Sequence, residues 1–597
     1  MPRRFRPSLL LKASRRLLRN DQLVLAFMAL FAGLTVGCAV VGFRELIGLL
    51  QWLTWGTASE RLYDAAALLP WWQILLIPSL GGLAVGALAH WLLPGGRPQG
   101  VANVMEAAAL HGGHMPLKPG LAAALTSALS IGVGASVGRE GPAVHLGGSI
   151  ASWIAARLRL GRNLSRSLLG CGVAAAVAAS FNAPIAGALF AHEVVVGHYA
   201  LSAFAPVVIA SVTATMVSRG WFGNYPAFSI PAMHLGTWAE FPAFAGLGIA
   251  CALTAVVFMH LVRLSESQMS RLPGPAFLRP AVGGFAVGVI ALAFPQVLGV
   301  GYDITDDSLK ALIGPGLLAA LLLAKLAATA ISLGSGLAGG VFGPALVLGA
   351  MLGGLFGFAI GDLSPTLASV PGIYALVGMG ALASAVLGAP ISTTLIVFEL
   401  TGDYQVTVAV MLASVVANVL LSQITGRGSF FHWQLSRRGI DLEAGAESRI
   451  LKNLKVADVV KRDAVTVPRQ ARLGHVRQLL QARPEGEVFV LCDGGILIGS
   501  ITLADLAETA FDSDLDDLLN AQDVARLHPP VLSLEDDIGT AIDTMQRLHE
   551  AHMAVVSHDD TEIFAGWIHL SDALNAYNSA LVTTRAEETG RKTSQPR

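Results

Sequence analysis

Charged residues are scarce in this sequence. Of its 597 residues, 14% are charged and 53% are hydrophobic, and the mean hydropathy is +0.60. An ordinary soluble domain has about a quarter of its residues charged. Between about residues 22 and 425, apolar stretches of spanning length follow each other closely, including 23–43, 71–93, 244–262 and 317–333. About 20 apolar residues cross the hydrocarbon core, so these stretches predict transmembrane helices of a polytopic membrane protein in the lipid bilayer.

Cysteine and metal-ligand patterns are also sparse. The four cysteines, at 38, 171, 251 and 492, have neither disulfide nor metal-ligand spacing, and the 15 histidines form no zinc signature. The membrane part has no His-Glu-x-x-His set for catalysis. The formal net charge of −1 indicates no particular partner. We therefore expect no metal site, no enzyme activity, no required cofactor and no nucleic-acid partner.

The first 20 residues, MPRRFRPSLLLKASRRLLRN, are basic. The apolar stretch that follows is longer than the core of a signal peptide and has no clear cleavage site. Positively charged flanks stay in the cytoplasm, so we expect a retained segment with a cytoplasmic N-terminus.

Composition changes near residue 435, where the charge density rises and no further span follows. We expect a membrane domain over 1–435, a cytoplasmic domain over 436–585 and a disordered tail over 586–597. The cytoplasmic part contains two similar units, about 455–512 and 520–580. Each unit has a strand, a helix, two strands and the start of a second helix, with a period of about 65 residues. Two such units are expected to bury their apolar faces against each other.

Glycine-rich breaks interrupt the predicted spans at 95–100, 132–142, 334–344 and 387–390. Broken helices at membrane depth are tolerated where they are buried or line a cavity. Each break supplies a helix N-terminus, whose unpaired N–H groups and positive dipole end attract anions.

Two pairs of similar segments indicate that the membrane domain has two halves. GREGPAVHLGG pairs with GGVFGPALVLG, and NAPIAGALFAHEV pairs with GAPISTTLIVFEL. The second pair places Glu193 and Glu399 nine residues after a proline. Repeated halves with Gly/Pro-interrupted segments point to a midplane site for a transported ion.

In combination and in order, these motifs resemble the CLC family of chloride channels and chloride/proton antiporters. GREGP (138–142), GGVFGP (339–344), the helix after FNAP (181–184) and the terminal unit pair carry the resemblance. It implies an all-α polytopic membrane domain with two inverted repeats and broken helices, followed by an α/β tandem CBS domain. It also implies a homodimer in the plasma (inner) membrane, chloride as the transported ion and cytoplasmic termini.

The resemblance assigns the gate to Glu140, whose carboxylate would occupy an anion site until protonation or a competing anion moves it aside. The N–H groups of Arg139, Glu140 and Gly141 would bind the outer anion, together with those of Val341 and Phe342. An ordinary loop or helix-capping carboxylate is the alternative interpretation of Glu140.

Two positions depart from the family pattern. The family's Gly-Ser-Gly-Ile-Pro motif is matched by PQGVA (98–102), which puts Gln99 at the serine and Gly100 at the second glycine. The family's late tyrosine falls on Phe431. Both hydroxyls at the central anion would be missing. The Gln99 amide can donate instead, whereas Phe431 is either an aromatic edge at the ion or a core residue.

The inner proton-relay position of the family's antiporters falls on Val194, which cannot bind a proton, while Glu193 matches a glutamate that is more often structural. This favours a channel without proton coupling. A chloride/proton antiporter is the first alternative. The second alternative is a CBS-regulated divalent-cation transporter. Such a transporter needs carboxylates facing the pore, and the predicted spans contain few acidic residues.

In the CBS family, an aspartate after the last strand can hold the ribose of an adenine nucleotide. The matching residues are Asp505 and Asp572, with Thr502 at the accompanying hydroxyl position and His569 replacing it in the second unit. Alternatively, both aspartates simply lie at helix starts, where carboxylates are favoured.

Overall fold

The computed structural model describes residues 21–588, except 59–61, 198–200, 225–227, 229, 231–234, 365–368, 427, 441–450, 452–453, 483–485, 507–512 and 558–562. The chain divides into two compact units, residues 1–441 and 442–597. The basic N-terminal segment, on which the cytoplasmic position of the N-terminus was predicted, lies outside the described residues, as do residues 589–597 of the predicted disordered tail.

In the described part of the first unit, every secondary-structure element longer than a single β-bridge is a helix. Its helices are α1 (Asp21–Trp55), α2 (Leu62–Ala66), α3 (Trp71–Leu92), α4 (Val101–Ala109), α5 (Leu117–Gly132), α6 (Glu140–Arg157), α7 (Arg162–Phe181), α8 (Pro184–Phe190), α9 (Leu201–Phe222), α10 (Phe241–Arg271), α11 (Arg279–Ala293), α12 (Tyr302–Leu309), α13 (Pro315–Ser335), α14 (Phe342–Leu363), α15 (Pro371–Leu387), α16 (Pro390–Thr401), α17 (Tyr404–Thr425) and α18 (Phe430–Ser436). One wider π-helical turn, Ala191–Val196, continues α8. Within the described part of the chain, eight helical stretches are long and apolar enough to cross a membrane.

The predicted helix breaks are confirmed. A helix ends before or within each of the four glycine-rich segments, and a new helix begins within or directly after it, at Val101, Glu140, Phe342 and Pro390. Three of the four apolar stretches fall within α1, α10 and α13, and the fourth, 71–93, covers α3 and one residue beyond it. Because proline lacks an N–H and has a fixed φ, it fits the first turn of a helix and starts α16 at no cost in hydrogen bonds.

Small residues let helices of the two halves pack closely in equivalent pairs. In the first half, a Cβ atom added at Gly147 of α6 would lie 2.5 Å from the Gly172 carbonyl oxygen of α7. In the second half, a Cβ atom at Gly349 of α14 would lie 2.3 Å from the Gly378 carbonyl oxygen of α15. Close backbone approach at glycines is typical of helix packing in membranes, and here it holds the two central helix pairs.

The second unit contains the repeated strands that the sequence predicts. Its strands are β1 (Thr466–Pro468), β2 (Glu487–Leu491), β3 (Leu497–Thr502), β4 (Arg526–Leu527), β5 (Val531–Ser533), β6 (His552–Val556) and β7 (Phe564–His569). They form two sheets, in the orders β1-β2-β3-β4 and β5-β6-β7. In each repeat the first pair of strands is parallel and the second pair is antiparallel. Side chains of both repeats, including Phe489 and Trp567, share one buried cluster, so the two sheets pack together.

The helices of this unit are α19 (Leu473–Ala482), α20 (Ala521–Val524), α21 (Ile538–Leu548) and α22 (Leu570–Glu588). One prediction was wrong in detail. The second helix of the first repeat, which the sequence predicts over LADLAETA (503–510), is replaced over 503–506 by turns, and residues 507–510 lie outside the described residues. The Asp505 carboxylate accepts hydrogen bonds from the Thr502 N–H and hydroxyl, which supports a local turn.

Candidate anion site and gate

The starts of α6 and α14 meet at the centre of the first unit. Gly138 and Gly340 pair as an antiparallel bridge, with N···O distances of 2.8 and 2.7 Å. The segments approach so closely that a Cβ atom at Gly141 would lie 3.0 Å from the Gly340 Cα. Two helix N-termini from the two halves therefore face one small volume. The N–H groups of a first helical turn have no partner within the helix, so this volume favours negative charge.

The Glu140 side chain is fully buried in this volume. Its Oε2 accepts a hydrogen bond from the Gly343 N–H of α14 at 3.1 Å. Its Oε1 accepts a hydrogen bond from the Tyr302 hydroxyl. Arg139 Nε lies 4.0 Å from the same Oε1. The carboxylate of one half thus sits at the helix start of the other half, where a mobile anion would bind.

The sequence analysis missed three residues that form this geometry: Gly138, Tyr302 and Gly343. Gly343 had a usable signal, because it occupies in GGVFGP the position that Gly141 occupies in GREGP. Tyr302 had none, because the start of α12 belongs to no repeated motif. Gly138 is needed for space, since a Cβ atom there would lie 2.7 Å from Glu140 Oε2 and 2.8 Å from the Gly343 nitrogen.

Val341 and Phe342, which were predicted to offer N–H groups, form the start of α14 and are almost completely buried. The Phe342 ring lies 4.9 Å from the Phe181 ring and 5.8 Å from the Phe190 ring, measured between centroids. These aromatic contacts with α7 and α8 hold the first turn of α14 in place. The N–H groups of Val341 and Phe342 thus belong to the start of α14, and their role in anion binding stays a prediction.

Gln99 and Gly100 are half-buried before α4, a helix that packs against both α6 and α18. The Gly100 N–H donates to Asn103 Oδ1 at 3.2 Å. The Gln99 side-chain amide donates to the Arg97 carbonyl over a long 3.4 Å. Both groups predicted to bind an anion therefore have an internal acceptor in this conformation.

Phe431 lies in the first turn of α18 and is buried. Its ring packs edge-on against Phe430, with 6.2 Å between centroids. Ser429 caps the helix by accepting the His432 N–H at 3.3 Å. The structure brings α18 next to α4, so Phe431 and the Gln99 segment share one region of the unit.

Val194, at the expected inner relay position, is buried in the π-helical turn. The adjacent Glu193 carboxylate reaches the first turn of α16, where it accepts the N–H groups of Ile391 at 3.0 Å and Ser392 at 2.8 Å. Glu399 does the same for α8 from the other half, accepting the N–H groups of Ile185 at 2.9 Å and Ala186 at 2.8 Å. Each glutamate is thus a helix cap for the opposite half.

A cavity of about 380 Å³ adjoins Arg139. Arg44, Glu45 and Gln51 of α1 line it together with Phe222 of α9. The Arg44 guanidinium stacks 4.2 Å from the centroid of the Phe222 ring. Two guanidinium groups and one carboxylate give the cavity a net positive lining beside the buried Glu140.

In the second unit, the two candidate nucleotide-binding aspartates have different partners. Asp505 bonds within its own turn, to Thr502. Asp572, in the first turn of α22, forms a 2.7 Å ion pair with Lys461. The His569 side chain accepts the Ser571 N–H at 2.9 Å. Asp505 therefore stabilises its own turn, whereas Asp572 lies at a helix start and is paired with a lysine distant in the chain. The ligand role of both carboxylates stays a prediction.

Comparison with known proteins covers both units. Residues 81–422 match the family model of the voltage gated chloride channel, and residues 456–512 and 521–579 each match the CBS domain model. A putative chloride channel protein ClcB-like from Ralstonia nicotianae is 36% identical, covering 69% of this chain and 98% of that protein. The chloride channel protein CLC-f of Arabidopsis thaliana is 31% identical, covering 79% and 68%. The solved structure of a slow cyanobacterial Cl⁻/H⁺ antiporter has a TM-score of 0.63 at 23% identity, covering 70% and 98%.

Proposed function

Because the chain belongs to the voltage-gated chloride channel family and so transports anions, we propose that it is a chloride channel gated by Glu140 and not coupled to protons. The observation that carries the proposal is the hydrogen bond from the Gly343 N–H to the Glu140 carboxylate. A negatively charged side chain there competes with chloride for the same helix N-termini.

In this mechanism, the closed gate is the ionised Glu140 carboxylate held at the start of α14. Protonation removes the charge, and the neutral carboxyl loses most of its attraction for the helix dipole. A chloride ion then takes the vacated N–H groups of Gly343 and its neighbours Val341 and Phe342. Chloride at sufficient concentration displaces the carboxylate by the same competition.

Chloride selectivity would rest on backbone N–H groups more than on side-chain hydroxyls. The two positions where the resemblance places hydroxyls hold Gln99 and Phe431. The Gln99 amide can leave the Arg97 carbonyl, because a 3.4 Å hydrogen bond is weak. Gly100, Arg139 and Gly141 complete the proposed set of backbone donors along the path.

The absence of proton coupling is proposed from the inner relay position. Val194 has no ionisable group, and Glu193 is committed to capping α16 with two backbone hydrogen bonds. The alternative, a chloride/proton antiporter, is favoured by the fold likeness to the cyanobacterial antiporter. The two differ in one measurable respect, which is whether chloride flow drives protons.

We further propose a homodimer in the inner membrane, with both termini in the cytoplasm. The CBS pair would then lie in the cytoplasm, where it can meet an adenine nucleotide. Thr502, Asp505 and Asp572 remain the proposed contacts for that nucleotide. To bind it, Asp572 would share or exchange its ion pair with Lys461.

The test is flux in proteoliposomes with chloride and pH recorded together. Wild-type chloride efflux should rise as pH falls, whereas Glu140→Gln should be roughly a hundredfold faster at neutral pH and nearly insensitive to pH. The size follows from losing the charge and its hydrogen bonds to Gly343 and Tyr302. A chloride gradient imposed on the wild type should move no stoichiometric protons.

Glu240→Gln is a matched control, because Glu240 is also a buried carboxylate of the membrane unit and also accepts a tyrosine hydroxyl, from Tyr374 at 2.9 Å. It should keep the wild-type pH profile. Unchanged pH dependence in Glu140→Gln would contradict the gate. Uphill proton movement driven by chloride in the wild type would make the protein an antiporter.

A further inference from the structure

Tyr302 is the first residue of α12 and is 5% exposed. Its hydroxyl donates to Glu140 Oε1, while the Gly343 N–H donates to Oε2. Each oxygen of the gate carboxylate therefore has its own donor, and the two donors come from different helices. Hydrogen bonds to an ionised carboxylate are stronger than those between neutral groups.

The Tyr302 ring is held on two sides. The Arg139 guanidinium lies 4.7 Å from its centroid, and the Phe228 ring meets it edge-on at 4.9 Å. Since Arg139 also lies 4.0 Å from Glu140 Oε1, the guanidinium, the phenol and the carboxylate form one compact group. The phenol hydroxyl is thus fixed in orientation before any anion arrives.

The segment that leads into Tyr302 is anchored by Lys325 of α13, which is fully buried. The Lys325 Nζ donates to the Val297 carbonyl at 3.0 Å and to the Gly299 carbonyl at 2.9 Å. Gly301 has φ +91°, and a Cβ atom there would lie 3.1 Å from the Lys325 Nζ. The left-handed glycine lets the chain turn directly above the ammonium group and enter α12.

We propose that Tyr302 is a positioning residue that latches the Glu140 gate closed and so sets the pH and chloride concentration at which the pathway opens. This inference rests on the proposed gate role of Glu140. To leave its site, the carboxylate must break the phenol hydrogen bond as well as the Gly343 one. The anchoring by Lys325 keeps the phenol in place, so the latch does not follow the carboxylate as it moves.

The ionisable groups around the carboxylate lie on several elements. Arg139 precedes α6, Tyr302 and Asp303 begin α12, and Lys325 lies behind them on α13. Arg44 and Glu45 of α1 line the adjoining cavity with Arg139. Among these groups, Tyr302 is the one whose hydrogen bond can be deleted without changing a charge or the ring packing, which makes it the informative substitution.

Tyr302→Phe should raise chloride flux about tenfold at neutral pH, since a hydrogen bond to a charged group is lost from the closed state alone. The pH of half-maximal flux should move upward by roughly one unit, because a tenfold change in the gate equilibrium corresponds to one unit of pH. At low pH, where the carboxyl is neutral in both proteins, the two fluxes should converge. In a Glu140→Gln background, Tyr302→Phe should produce no further shift.

Tyr374→Phe is the matched control, since it also removes a tyrosine-to-carboxylate hydrogen bond, from Glu240, in the membrane unit. It should leave the pH profile unchanged. If Tyr302→Phe is not obtained as folded protein, Tyr302→Leu should give the same upward shift.

A wild-type pH profile in a folded Tyr302 variant, with Glu140→Gln behaving as proposed, would overturn the latch and leave the gate standing. A shift of equal size with and without Glu140→Gln would also overturn it, because Tyr302 would then act through another group. If Glu140→Gln itself keeps the wild-type pH dependence, the gate assignment fails and the latch fails with it.

Discussion

Gly138 makes room for the gate by having no side chain. The Glu140 carboxylate oxygen and the Gly343 nitrogen both lie within 2.8 Å of the place that a Cβ atom at position 138 would take. Any other residue would therefore push the carboxylate away from the start of α14. The geometry of the site therefore depends on the absence of a Cβ atom at Gly138 as much as on the charge of Glu140.

The buried carboxyl of Glu487, in β2, should make the stability of the CBS unit depend on pH. Burial raises the pKa of its carboxyl to about 7, and the nearby Glu550 and Asp505 carboxylates add to the shift. The Ser500 hydroxyl and Arg526 oppose it. Its partner across the two repeats is His552, with Nδ1 3.9 Å from Oε2.

In the unfolded chain this carboxyl ionises at its ordinary pKa of about 4.5, so between pH 4.5 and 7 the folded unit binds more protons than the unfolded one. Stability of the unit should therefore fall as pH rises through this window, by at most about 3 kcal/mol. Glu487→Gln should flatten the dependence. Urea unfolding of residues 442–597 at pH 5 and pH 8 measures the change in the free energy of unfolding. An equal change in the wild type and in Glu487→Gln would refute the assignment of this pH dependence to Glu487.

At the scale of the element, helix N-termini are the common device of the membrane unit. Two of them, α6 and α14, are aimed at the gate. Two others, α8 and α16, are closed by carboxylates from the opposite half, Glu399 and Glu193. In the proposed mechanism, an anion binds at the first pair because the Glu140 carboxylate can leave it, whereas the Glu399 and Glu193 caps of the second pair belong to neighbouring helical segments.

Glu193→Gln and Glu399→Gln should each destabilise the protein by about 1–2 kcal/mol, and by similar amounts, because each removes one charged cap from an equivalent helix. Thermal unfolding in detergent should show midpoints lower by a few degrees. Glu266→Gln is the control, since its exposed ion pair with Arg437 should contribute less than about 0.5 kcal/mol. If only Glu193→Gln lowered the stability, the interpretation of Glu193 and Glu399 as equivalent helix caps would be contradicted.

At the scale of the whole molecule, the chain consists of two units with separate cores, and every residue proposed for the anion pathway precedes residue 441. The membrane unit includes α18, whose Phe430, Phe431 and Leu435 side chains are buried. The CBS unit has its own clusters beneath the two sheets. We therefore expect transport and its regulation to be separable by truncation.

A stop after residue 441 should give a folded protein that carries chloride with the wild-type selectivity. A stop after residue 428 should not fold, because it removes the buried side chains of α18. Calorimetry with ATP should detect binding to the full chain and none to the 441 truncation. Binding to both would place the nucleotide site outside the CBS pair, and binding to neither would leave that pair a structural role.

Features of the protein that depend on local pattern could be predicted from its sequence. Apolar length predicted the spans, glycine and proline predicted where helices break, and alternating and helical periods predicted the strand and helix order of the tail. These features follow from backbone geometry and composition within about 20 residues. Glu140 could also be singled out from the sequence as the proposed gate, because its motif is contiguous and carries a charge where charge is costly.

The partners of the Glu140 carboxylate follow from the packing of distant segments and could not be predicted from the sequence. Tyr302 and Gly343 lie 162 and 203 residues beyond Glu140 in the chain. Glu193 and Glu399 were recognised as a pair from the sequence, but the cap that each provides for the other half appeared only when α8 and α16 were packed together. Contacts at such separations depend on how whole helices cross. A local pattern carries no information on that geometry, because the same amphipathic and glycine-rich segments are compatible with many packings.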